Sequence, residues 1–259
     1  MNSLIFVYCD KIIMKDIWTF FAFPLNLIVA ALWSAVLLWL RKSFSQSAVV
    51  RFLHSPAATI SSIVLLITAC LWIGFSGDRT FPQTLIFILI LLYIQSVLFL
   101  ITIRGIRKVD GKIRWRFIFL HVGLMLAIGS GFWGSPDSTE SRMRLMPEMP
   151  SREAVTVDGM KLVLPYELSL TDLRIEYSDE GQMIDYEVFV SVDGGDPVSI
   201  SVNHPYGIRF GEDIYLVGVS EGSCVLQIVR EPWRYFALAG VIMMLAGAFL
   251  LFVNGPNKR

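Results

Sequence analysis

Apolar positions along this chain follow two different patterns. Long runs almost free of charge cover 18–40, 56–77, 80–103 and 117–134, and a further run covers 235–253. At about 1.5 Å of rise per residue, each has the length a helix needs to cross a hydrocarbon layer of roughly 30 Å. Between the fourth and fifth runs, over 135–233, the period changes. After a Pro/Met/Ser-rich link, "SPDSTESRMRLMPEMPS", come the alternating or β-branched stretches "VTVDGMKLVL", "LRIEY", "IDYEVFVSV", "PVSISV", "IYLVGVS" and "CVLQIV". Alternation of this kind predicts half-buried strands, and "DEGQ" and "DGGD" supply the Gly/Asp chemistry of hairpin turns. The pattern therefore predicts an α-helical transmembrane bundle of five spans. An all-β domain, a sandwich or partly open barrel of about six strands, sits between spans four and five.

Composition agrees with a bilayer protein, at 54% hydrophobic and 17% charged residues with a mean hydropathy of +0.60. The formal net charge of zero conceals a division that bears on topology. Residues 41–56 carry Arg41, Lys42 and Arg51 with no acid, and 104–116 carry six basic residues against Asp110 alone. Residues 135–233 hold seven Lys/Arg and eighteen Asp/Glu, a net of −11. Basic loops stay in the cytoplasm, so both of these loops and the tail 254–259, with Lys258 and Arg259, are expected there. The β domain is then expected on the outer side of an inner (cytoplasmic) membrane, together with an N-terminal extracytoplasmic segment, 1–17. That first segment meets Asp10 too early for a signal-peptide core and has no small-residue cleavage site, so it is expected to be retained.

Cys9, Cys70 and Cys224 form no CxxC pair, which removes a thioredoxin-like motif and a cysteine zinc site; they read as structural. The acidic domain has no basic patch for nucleic acid.

Candidate chemistry centres on "RWRFIFLHVGLMLAIGSGFWG", 114–134, which sets His121 inside the fourth run. Five residues past Arg116, it sits about 7–8 Å into the span by helix rise. Ionisable groups at that depth face a bundle interior, a cavity or a cofactor. One reading has the neutral ring hydrogen-bonding a neighbouring helix or reaching the interface. The other draws on Gly123, Gly129, Gly131 and Gly134, which leave open surface for close helix approach or a flat ligand. No acid in the run supports a proton relay. A neutral imidazole in a membrane is then suited to ligate haem iron. Met125 shares the helix face with His121 and reads as packing, since two side chains of one helix cannot clasp both faces of a haem. His54, in "RFLHSPAAT", is the candidate second ligand on that side, against plain placement at the interface. Otherwise the second ligand comes from another protein. His204, in "SVNHPYGIRFGEDIYLVG", reads as a turn residue, and no GxSxG elbow supports a hydrolase there.

From about 51 to 253 the chain resembles the ResB family of cytochrome c biogenesis, the System II machinery. "RFLHSPAATISSIVLLITACLWIGFSG" and "FPQTLIFILILLYIQSVLFLITIRGIRK" resemble its opening spans, and "HVGLMLAIGSGFWG" its His-Gly segment. "LPYELSLTDLRIEYSDEG" and "ISVNHPYGIRFGEDIYLVGVS" resemble its outer domain, and "CVLQIVREPWRYFALAGVIMMLAGAFLLF" its close and last span. The span 18–40 is an addition to the family pattern, and the outer domain is shorter than usual.

The resemblance implies a subunit that works with a CcsA-like membrane protein to carry haem b across the membrane and deliver it to the CxxCH cysteines of apocytochrome c. His121 would be the axial ligand. A thioredoxin-like thiol-reducing protein is a further implied partner. The partner's Trp-rich haem motif is absent here, so the chain would be at most one subunit of a cytochrome c synthetase. The alternative is a haem-free membrane scaffold whose outer domain organises partner proteins.

Overall fold

The computed structural model describes residues 20–76, 81, 84–106, 114–157, 159–180, 183–220 and 222–254. The expected N-terminal segment with Cys9, residues 107–113 of the second basic loop, and Lys258 and Arg259 of the tail lie outside these residues. The chain divides into two compact units, one made of the helices and the other of Asp137–Pro232.

The helical unit contains α1 (Leu25–Ser43), α2 (Ala48–Leu53), α3 (Pro56–Ser76), α4 (Leu85–Gly105), α5 (Trp115–Gly134) and α6 (Arg234–Asn254). All but the short α2 are long and apolar enough to cross a membrane, which makes five such helices among the described residues. Two begin later than the hydropathy runs. The first run passes through Pro24, but the helix starts at Leu25 with Pro24 as its N-cap, because a proline ring clashes with a preceding turn and has no N–H to donate. The third starts at Leu85, where Thr84 Oγ1 accepts the Phe87 N–H at 3.3 Å.

Large apolar side chains such as Leu32, Phe75, Leu245 and Phe252 point outward. A bilayer allows this, since lipid tails are as apolar as the side chains and association must come from packing and polar contacts instead. Those contacts are present. Asn26 Nδ2 of α1 donates to the Trp133 carbonyl of α5 at 2.8 Å, and Trp33 Nε1 donates to Ser96 Oγ of α4 at 2.9 Å. Tyr93 of α4 shares a 2.8 Å hydrogen bond with Ser61 of α3. The most enclosed helix is α4, with seven buried residues from Ile94 to Thr102.

Small residues seat α5 on α6. A Cβ placed on Gly123 would lie 2.7 Å from the Gly240 carbonyl oxygen and 2.9 Å from Met244 N; one placed on Gly240 would lie 2.6 Å from Ala127 N. Only glycine permits that backbone approach.

The β unit is a single sheet of eight antiparallel strands in the order β5-β4-β3-β2-β1-β8-β7-β6. The strands are β1 (Thr139–Leu145), β2 (Ser151–Thr156), β3 (Lys161–Tyr177), β4 (Met183–Val192), β5 (Val198–Ser201), β6 (Tyr206–Arg209), β7 (Glu212–Ser220) and β8 (Ser223–Arg230). The structure differs from the sequence expectation at four points. The supposed link contains β1, whose Ser141, Met143 and Leu145 point inward while its arginines point out. The stretch "VTVDGMKLVL" folds back on itself, dividing between β2 and β3, and β6 is an additional short strand. There is one sheet rather than the two of a sandwich. Its ladder is not closed, although its edge strands β5 and β6 are consecutive and meet at a Ser201–His204 bridge.

The inward faces bury Leu145, Leu168, Val188, Val190, Ile200, Ile214 and Leu226 in one core. Asp193 and Gly194, both at positive φ (49° and 72°), make the tight turn after β4, where Gly195 N donates to the Val192 carbonyl at 2.9 Å. The strands that begin and end the unit, β1 and β8, pair along their whole length from Thr139–Arg230 to Leu145–Cys224.

Candidate functional site

His121 lies two turns into α5. Its Nδ1 is 3.1 Å from the Phe117 carbonyl oxygen one turn earlier, and its ring stacks on Phe117 with centroids 3.8 Å apart and planes 19° from parallel. A carbonyl only accepts, so Nδ1 carries the proton. The neutral ring then presents the Nε2 lone pair, in the tautomer that metal-ligating histidines adopt when their other nitrogen is held by a carbonyl. The Phe117 ring in turn covers Gly105, at the last turn of α4, where a Cβ would fall 1.9 Å from the ring. The Arg114 guanidinium lies over the Phe117 ring, 5.1 Å from its centroid. Phe117 thus fixes the histidine by carbonyl and by ring, while α4 fixes Phe117.

His54 occupies the C-cap of α2 and repeats the arrangement. Its Nδ1 is 2.8 Å from the Val50 carbonyl oxygen, and its Nε2 is buried without a hydrogen-bond partner. Its own carbonyl accepts from Arg104 Nη1 at 3.3 Å. The two histidines therefore engage consecutive residues at one end of α4, His54 through Arg104 and His121 through the Phe117 ring on Gly105. Each turns its Nε2 away from its backbone partner.

The four glycines of α5 divide by role. Gly123 admits α6, and Gly134 is covered by the Trp233 ring, 2.2 Å from where its Cβ would be. Gly131 has nothing within 4 Å, and Gly129 faces the Gln95 amide. Met125 lines a cavity between α1, α4 and α5. His204 is exposed in the β5–β6 turn. Its N–H closes the turn on the Ser201 carbonyl at 3.1 Å, Asn203 takes the left-handed conformation at φ 62°, and its ring Nδ1 is 3.1 Å from the Val202 carbonyl oxygen. Among the described residues, no group of three or more His, Cys, Asp or Glu is arranged to hold a metal ion. A histidine-ligated haem requires no such group.

Two buried polar features are marked in the sequence by no charge within a span and no motif in the β domain. Gln95 is buried mid-span in α4, its Nε2 without a partner; the signal was a lone amide in the run "LIFILILLYIQSVLFLITI". Glu212, buried at the start of β7, accepts from Tyr166 Oη at 2.5 Å and from Arg209 Nε at 2.9 Å. Burial, then the hydrogen bond to Glu212, raises the Tyr166 phenol above its usual range. The triad is a paired buried charge rather than a reactive one. The Cys224 thiol, at the other end of the β7–β8 ladder, is pushed up to about 11 by burial, which keeps it protonated and unreactive at neutral pH.

No family model and no curated protein matches the chain. Among solved structures it is similar to "Cytochrome c Heme Lyase CcmF", at 12% identity and a TM-score of 0.39, over 91% of this chain and 46% of that one. The chain thus spans less than half the length of that protein.

Proposed function

We propose that this chain is a ResB-like subunit of a System II cytochrome c biogenesis complex. It would act with a CcsA-like membrane protein to take haem across the membrane and present it to apocytochrome c. The observation that carries the reading is the His121 imidazole, held inside an apolar span by the Phe117 carbonyl so that Nε2 is free to ligate. His54, with its buried and unpartnered Nε2 at the same end of α4, fits as the second ligand. Support comes also from the order of the resembling segments over some 200 residues. In this reading haem is the cargo, and iron ligation is the chemistry it brings. The chain's own residues orient two imidazoles, exclude charge from the span and offer a small-residue surface at Gly131. Both basic loops lie in the cytoplasm and the acidic β domain lies outside, where it docks the partner or the apocytochrome. With no CxxC pair, the chain leaves thiol reduction to a separate thioredoxin-like protein.

The test is to purify the full chain with its CcsA-like partner and quantify extracted haem per complex. Stoichiometric haem b supports the reading. An intact complex free of haem, in cells that make haem normally, favours the scaffold instead.

A further inference from the structure

The cavity between α1, α4 and α5 has a volume of about 270 Å³. That is just under the roughly 300–1,000 Å³ of pockets that take whole drug-sized ligands, so it suits a ring or a chain segment whose remainder lies in lipid. Trp33, Trp133, Trp233 and Phe99 supply broad aromatic walls, and no charged side chain lines it. Its hydroxyls are committed, since Ser34 Oγ donates to the Ala30 carbonyl at 2.8 Å and Ser130 Oγ to the Ala127 carbonyl at 3.0 Å. The exception is Gln95. It is 7% exposed, its Nε2 has no partner, and it lines the cavity opposite Gly129, where a Cβ would stand 3.5 Å from that nitrogen. An unpaired amide donor within a membrane costs several kcal/mol in the limit of no compensation. The adjoining cavity, of about 230 Å³, shows the contrast, because its amide, Asn26, already donates to the Trp133 carbonyl.

We propose that this cavity binds an uncharged, membrane-soluble carbonyl compound, its oxygen accepting from Gln95 Nε2 and its apolar body seated against Trp33, Trp133 and Trp233. A ring carbonyl of a prenyl quinone and the ester carbonyl of a glycerolipid share this chemistry. The three tryptophans make the site its own reporter, and the site stands whether or not the chain handles haem.

The experiment uses the full chain in detergent after lipid depletion. Decyl-benzoquinone is titrated against tryptophan fluorescence, and glycerolipid retained through gel filtration is measured in parallel by mass spectrometry. The proposal expects saturable quenching at one quinone per chain, or one retained glycerolipid per chain, and the arm that saturates identifies the source. Gln95→Leu should weaken that binding about tenfold or more without lowering the thermal midpoint of the ligand-free protein. Gly129→Ala, whose added methyl makes only ordinary contacts, should weaken it while the protein stays folded. Failure of both arms to saturate in the wild type overturns the proposal, as does unchanged binding in Gln95→Leu. A lower ligand-free midpoint in Gln95→Leu overturns it too, because the amide would then serve the bundle.

Discussion

At the scale of single residues, the side chains that matter are those whose polar atoms have been given or denied a partner. Glu212 is 3% exposed and binds both Tyr166 and Arg209. Glu212→Leu leaves the Tyr166 hydroxyl and the Arg209 charge without their acceptor, and should destabilise the β unit by about 2–3 kcal/mol in chemical unfolding. Because the Tyr166 phenol is raised in the folded state by burial and by Glu212, its contribution is fully present below its unfolded value near 10 and is lost as pH rises above it. Stability of the wild type should therefore fall in that alkaline window, and Tyr166→Phe should remove that part of the slope. Cys224, at about 11, should resist maleimide at pH 8 in the folded protein and react once it is unfolded. His121 stood out in the sequence as a lone histidine in an apolar run. Its tautomer did not, since that depends on a 3.1 Å approach to the Phe117 carbonyl and on α4 holding the Phe117 ring. Gln95 does not stand out in the sequence because an amide bears no charge, and its lack of a partner is a property of three packed helices.

At the scale of elements, length and hydropathy carried most of the helix positions, and local chemistry corrected their ends at Pro24 and Thr84. What hydropathy does not encode is which glycines are interfaces. Gly123 and Gly131 look alike in sequence, yet a Cβ on the first meets the α6 backbone at 2.7 Å and one on the second meets nothing. Gly123→Ala should lower stability by about 1–3 kcal/mol, since backbone cannot move aside cheaply, whereas Gly131→Ala should be neutral or slightly stabilising. Thermal midpoints of the two variants in one detergent check the contrast. In the sheet, β1 is not legible in the sequence because Arg142 and Arg144 disguise an alternation whose other half, Met143 and Leu145, is buried. The number of sheets rests on long-range pairing such as β1 with β8, which no local pattern specifies.

At the scale of the whole molecule, the described residues hold five helices long and apolar enough to cross a membrane, with an eight-stranded sheet inserted in the chain between the last two. Charge divides along the same boundary, with basic residues flanking the spans and a net of −11 over 135–233. That asymmetry predicts the sidedness. An alkaline phosphatase fusion after Gly134 should be active and one after Lys108 inactive, and the reverse pattern would overturn the outward placement of the sheet. The proposed function turns on ligation of haem by His121 Nε2. It is tested most directly by the absorption spectrum of the complex purified with its CcsA-like partner, comparing wild type, His121→Gly, and His121→Gly with added imidazole. With His121 as ligand, a b-type signal is lost in the variant, with both proteins present, and recovered by imidazole. A spectrum unchanged by His121→Gly would contradict that ligation and return the histidine to helix packing.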